Sequence, residues 1–144
     1  MRKQYLKIVS FLLCFVMLCS IPVHAAEPYA SAQITLHSAT LDKGSDGYLY
    51  VMFTIDTNRV MNILGASSVV IQRYSFYQWV NEHTITPEEI PELLTTNDDN
   101  HELIIPYKPL FPNATYRAVV NLYAESDTMI STVTDTTNTV PKTA

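Results

Sequence analysis

The side chains in this 144-residue sequence that could do chemistry are scattered histidines, two knots of carboxylates and a crowd of aromatic rings. His37, His83 and His101 fall on three separate stretches, none at a spacing that gathers metal ligands. Both cysteines, Cys14 and Cys19, lie near the start of the chain, so a structural zinc further on would need His with Asp or Glu. We read the histidines as solvent-facing polar positions. Glu88, Glu89 and Glu92 lie close together, as do Asp98 and Asp99. Two carboxylates cut a glycosidic bond only when they face each other across a cleft at roughly 5–10 Å. In a polar loop they are simply solvated. Asp42 with Asp46, or Asp98 with Asp99 and Asn100, offer hard oxygen ligands but do not match the twelve-residue calcium loop, so ordinary turn chemistry explains them. No Gly-x-Ser-x-Gly elbow occurs. The expectation is a chain with no catalytic set, no metal site and no cofactor.

The aromatic residues are more informative. Tyr74, Phe76, Tyr77 and Trp79 crowd one expected hairpin, and Tyr123 stands opposite the apolar row of its own strand. Outward rings on a sheet can stack on sugars, joining an apolar face to a polar tip. Tyr74, Tyr77, Trp79 and Tyr123 are therefore the expected ligand contacts. The plainer alternative packs Trp79 and some tyrosines into the core or over a sheet edge.

The elements that would position these residues follow from periodicity. Residues 31–37 and 48–55 alternate, with Ile34 and Leu36 in one row and Leu49, Val51, Phe53 and Ile55 in another. Between them, Asp42-Lys43-Gly44-Ser45-Asp46-Gly47 has the composition of a hairpin turn. A second pair is expected over 67–74 and 76–83, with Val69 and Ile71 facing one way and Val70, Gln72 and Tyr74 the other. Residues 84–100 break the rhythm: Pro91 limits any helix to a turn, and Asn97-Asp98-Asp99-Asn100 reads as a turn. Strands return at 102–107, 115–123 and 129–134. Seven short strands without a long amphipathic helix predict a β-sandwich, with an open barrel as the competitor.

The N-terminus predicts export. Arg2, Lys3 and Lys7 precede an apolar run over 8–18, Pro22 breaks the helix, and Val23-His24-Ala25 has the small residues of a cleavage site. Residues 1–25 are thus an expected signal-peptide helix cut after Ala25, with a domain over 26–135 and a flexible tail over 136–144. Loss of three basic residues takes the net charge from −5 to −8. Such a surface repels phosphate backbones and anionic lipid, which disfavours both nucleic acid and membrane surfaces as partners; only the leader, before cleavage, is expected to meet a membrane.

Leu110-Phe111-Pro112-Asn113-Ala114-Thr115-Tyr116-Arg117-Ala118-Val119-Val120 resembles the approach to the sixth strand of fibronectin type III domains. By that resemblance Tyr116 is a tyrosine corner, a buried ring whose hydroxyl returns to an upstream backbone group. The chain departs from the pattern in placing Trp79 mid-chain rather than in an early strand. A wider resemblance, over 63–72, Trp79, 116–120 and Tyr123-Ala124, is to small exported Gram-positive bacterial proteins of unassigned function. It implies an immunoglobulin-like fold and carries no activity with it. The expected function is an exported, non-enzymatic binding or adhesion module whose ligand is a glycan or surface protein. The alternatives are a small glycan hydrolase built on the acidic loop and a self-associating envelope component.

Overall fold

The computed structural model describes residues 33–141, so the leader expected at 1–25 lies outside the described residues. The body is all-β, built from two antiparallel sheets with a shared core, a sandwich-like arrangement. One sheet contains β1 (Ile34–Lys43), β2 (Leu49–Met61) and β6 (Asp98–Tyr107), in the order β1-β2-β6. The other contains β3 (Ile63–Ser75), β4 (Gln78–Ile85), β7 (Tyr116–Ser126) and β8 (Met129–Thr136), in the order β4-β3-β7-β8. The two-residue β5 (Leu94–Thr95) pairs with β3 after a 3-10 turn at Pro91–Leu93.

Alternation makes the two best strands. Leu49, Val51, Phe53 and Ile55 of β2 are all buried, and so are Tyr116, Ala118, Val120, Leu122 and Ala124 of β7. Their outward neighbours stay partly exposed, which is the half-buried pattern of a two-layer fold. Val69 and Ile71 join this core, while Tyr74 faces out.

Three local features depart from the periodicity. A register shift between Ile34 and Leu36 separates two residues expected on one face: Ile34 is buried and Leu36 is exposed. A bulge adds one residue and so reverses the facing of everything beyond it. The expected turn at Asn97–Asn100 shrinks to Asn97, at φ 57°, and β6 begins at Asp98 with a pairing to Met61. The flexible tail expected from Thr136 is held as far as Val140. Val140 exchanges two backbone hydrogen bonds with Tyr116, at 2.9 and 3.0 Å. Thr137 donates its N–H to Ala118 and accepts the Ala118 N–H on its hydroxyl. The Asn138 amide reaches across to β1, where Oδ1 accepts from the Leu41 N–H and Nδ2 donates to the Leu41 carbonyl, both at 2.9 Å.

Gly65 marks the tightest approach. It lies at φ 144°, between Tyr123 of β7 and Leu94 of β5. A Cβ built there would stand 2.0 Å from the Leu93 carbonyl oxygen. That contact seats the 3-10 turn against the sheet and drives Leu93 into the core.

Candidate functional site

The chemically richest cluster is built by an irregularity in β4. Between β3 and β4 the pairing jumps from Ile71↔His83 to Gln72↔Asn81, leaving Glu82 as the extra residue. The bulge turns its side chain inward. There the carboxylate, almost wholly buried, accepts from Arg73 Nε at 3.1 Å, from the Tyr116 hydroxyl at 2.8 Å and from the Tyr107 hydroxyl at 3.1 Å. The Leu110 N–H donates to it as well, at 3.1 Å. Tyr116 in turn accepts the Phe111 N–H at 3.2 Å, so its hydroxyl returns to the backbone five residues upstream. Arg73 stacks its guanidinium 4.1 Å over the Phe111 ring.

The environment keeps both phenols protonated. Burial, then the Glu82 charge, pushes the Tyr107 hydroxyl up to about 12. Burial, then the hydrogen bond to Glu82, raises Tyr116 further still. With its lone pairs taken by protein donors, Glu82 works as a clamp that pins the segment between β6 and β7 to the sheet. Tyr116→Phe should cost about 1–2 kcal/mol through one lost buried hydrogen bond, read as a shifted urea midpoint. Unchanged stability would mean that the ring, and not its hydroxyl, anchors this corner.

The contact residues expected from sequence do not form one surface. Tyr74 and Trp79 face each other across the β3–β4 hairpin, ring centroids 5.2 Å apart. Tyr77 lies in the two-residue turn that joins the strands. Tyr123 is level with Gly65, nine residues back along β3 from Tyr74, which at strand rise places it roughly 30 Å away. It lines a separate groove with Ile63, Ser67, Thr86, Pro87, Glu88 and Leu94, and its hydroxyl donates to Glu125.

The hairpin turn is unusual in composition. Phe76 and Tyr77 both have positive φ, 49° and 64°, as a type I′ turn requires. Asn-Gly is the favoured pair there, and bulky side chains pay a strain of about 1–3 kcal/mol per residue. Both rings point into solvent, Phe76 91% and Tyr77 96% exposed. Behind them runs a ladder on the outer face of the sheet. Arg117 lies 4.3 Å over the Trp79 ring and donates Nε to Gln72, and Gln72 donates to Asn81, both at 2.8 Å.

The remaining candidates stay apart. His37 lies 3.2 Å from Asp135, His83 lies 3.1 Å from Glu89 and stacks on Tyr107, and His101 lies 2.9 Å from the Glu92 carbonyl. Asp46 accepts from the Tyr50 hydroxyl at 2.6 Å and from the Tyr48 N–H, which hold its carboxyl below the usual range. Among the described residues no group of three or more His, Cys, Asp or Glu is placed to hold a metal. Sequence reading passed over Glu82, Arg73, Gln72, Asn81 and Arg117, because a bulge and cross-strand register bring them together. Phe76, not among the expected contacts either, was signalled by its place beside Tyr74, Tyr77 and Trp79.

No protein family matches this chain, and no curated protein matches it. Among solved structures it is similar to the solution structure of a protein described as a candidate late embryogenesis abundant (LEA) protein. The two are 13% identical with a TM-score of 0.38, over 97% of this chain and 87% of the other. A likeness that weak carries no argument about either molecule.

Proposed function

We propose that this chain is an exported, non-enzymatic binding module with an immunoglobulin or fibronectin type III-like sandwich. Its contact surface is the end of the molecule that bears the β3–β4 hairpin, and its ligand is a component of a cell surface. The strand order supports the fold type. With the minor β5 set aside, the first, second and fifth strands face the third, fourth, sixth and seventh. Immunoglobulin-like sandwiches likewise set A, B and E against C, F and G; the fourth strand, which joins A, B and E in constant-type domains, here joins the other sheet. Tyr116, at the start of the sixth strand and bonded back to Phe111, occupies the place of a tyrosine corner.

The observation that carries the function is the turn itself. Two large rings are held in a strained backbone conformation and turned away from the protein. Neither packing nor solubility accounts for them, and strain of this kind collects at functional sites. The acidic loop gives the hydrolase alternative less to work with, since Glu89 is engaged by His83 and Glu88 by Thr86.

Replacing the turn separates stability from function. Phe76→Asn with Tyr77→Gly supplies the residues that a type I′ turn favours and should raise stability by about 1 kcal/mol or more. The same variant should lose retention on isolated cell envelopes, insoluble peptidoglycan or a polysaccharide panel, whichever retains the wild-type protein. Trp79→Ala serves as a second probe of the same surface. Retention that survives both changes would remove the hairpin from the contact surface.

A further inference from the structure

The β3–β4 turn and the loop between β6 and β7 leave the sandwich at the same end, where Leu110 and Phe111 meet Glu82 and Arg73. Four large apolar side chains project there: Phe76, Tyr77, Leu110 at 70% exposure and Phe111 at 50%. Tyr74 and Trp79 stand directly behind the turn. Of the polar side chains on the sheet face behind the rings, Gln72, Asn81 and Arg117 are already engaged with one another and are not held out for a sugar. A projecting tip of Phe, Tyr and Leu instead suits a medium that takes apolar groups without directional bonds. The interfacial zone of a bilayer is such a medium, and Tyr and Trp rings settle at its headgroup level.

Charge separation points the same way. The cations among the described residues are Lys43, Arg59, Arg73, Lys108 and Arg117, and all but Arg59 lie at or beside this end. Asp42 and Asp46 share it, together with the buried Glu82. Glu88, Glu89, Glu92, Asp98, Asp99 and Asp127 crowd the opposite end. The acidic total therefore hides a dipole. A surface bearing anionic headgroups repels the carboxylate end and accepts the aromatic one, within a distance of about 10 Å at moderate salt.

We infer that the aromatic end docks on the interface of a phospholipid bilayer containing anionic lipid, with Phe76, Tyr77, Leu110 and Phe111 entering the interfacial zone. This names the ligand of the contact surface proposed above and rests on that reading. It departs from the expectation that the leader alone meets a membrane.

Trp79, the single tryptophan, reports on the turn. The full chain is mixed with vesicles of brominated phosphatidylcholine and phosphatidylglycerol, and Trp79 quenching is compared with that of the Phe76→Asn/Tyr77→Gly variant. The leader is identical in both, so the difference belongs to the hairpin. Quenching several-fold stronger in the wild type, and weakened by salt, is the expected result. Equal quenching in the two proteins, or none in either, overturns the bilayer. Envelope retention that is lost in the variant, with no vesicle response, also overturns it while the binding module stands with a glycan or protein ligand. Failure of both readouts overturns the module as well.

Discussion

Gly65→Ala should remove several kcal/mol of stability, the largest loss expected from any single added methyl group among the described residues. The added Cβ would meet the Leu93 carbonyl oxygen at 2.0 Å, with Leu93 C and Leu94 Cα at 3.0 Å. All three are backbone atoms, so no rotamer change relieves the clash. The positive φ adds strain for any L side chain. Relief requires lifting the 3-10 turn from β3, which breaks the β5 pairing and draws Leu93 out of the core. Removing a leucine from a core costs about 2–5 kcal/mol and backbone strain about 1–3, against a total stability of about 5–15 for a domain. A urea titration followed by circular dichroism gives the number. A loss below about 1 kcal/mol would show that residues 86–97 peel away freely and lie outside the cooperative unit.

Glu82→Ala is expected to be nearly as damaging, by electrostatics and not by collision. It would leave the Arg73 guanidinium, the Tyr107 and Tyr116 hydroxyls and the Leu110 N–H without their shared acceptor. Breaking a buried pair by deleting one partner costs about 3–5 kcal/mol, because the other charge stays behind. Glu82→Gln keeps the shape and one acceptor oxygen and should lose less. The same clamp predicts alkaline behaviour. In the folded state Tyr107 holds its proton up to about 12, whereas its unperturbed value is 10.0. Between those values the unfolded chain binds fewer protons than the folded one, so stability falls as pH rises through the window and is unaffected below it. Denaturation midpoints at about pH 9 and pH 11 measure this slope. A slope that persists undiminished in Glu82→Ala would show that burial alone raises the phenols.

What could be read from the sequence depended on whether facing followed position. β2 and β7 were legible because every second residue from Leu49 to Ile55 and from Tyr116 to Ala124 is apolar, with no bulge between. Leu36 and Glu82 were not, since one extra residue on a strand reverses facing without leaving any trace in composition. The turn at Phe76 and Tyr77 lacked glycine and asparagine, the residues by which such turns are found. Asn97–Asn100 erred the other way, with turn residues drafted into β6 by their pairing with Asp56 and Met61. The candidate site was legible only as an aromatic-rich hairpin. Tyr123 was drawn into it because periodicity says which face a ring takes, and not how far along the sheet it lies.

Asn138 has a consequence for how copies of this protein treat one another. Its carboxamide offers Leu41 one acceptor and one donor, which is what the peptide group of a neighbouring strand would offer. Among the described residues β1 is the outermost strand of its sheet, and its outward backbone groups would otherwise be a template for any extended chain that drifts past. At Leu41 that template is already occupied by a mimic from the protein's own C-terminal segment. Strand addition across Leu41 must therefore first evict a side chain that already plays the part of a neighbouring strand.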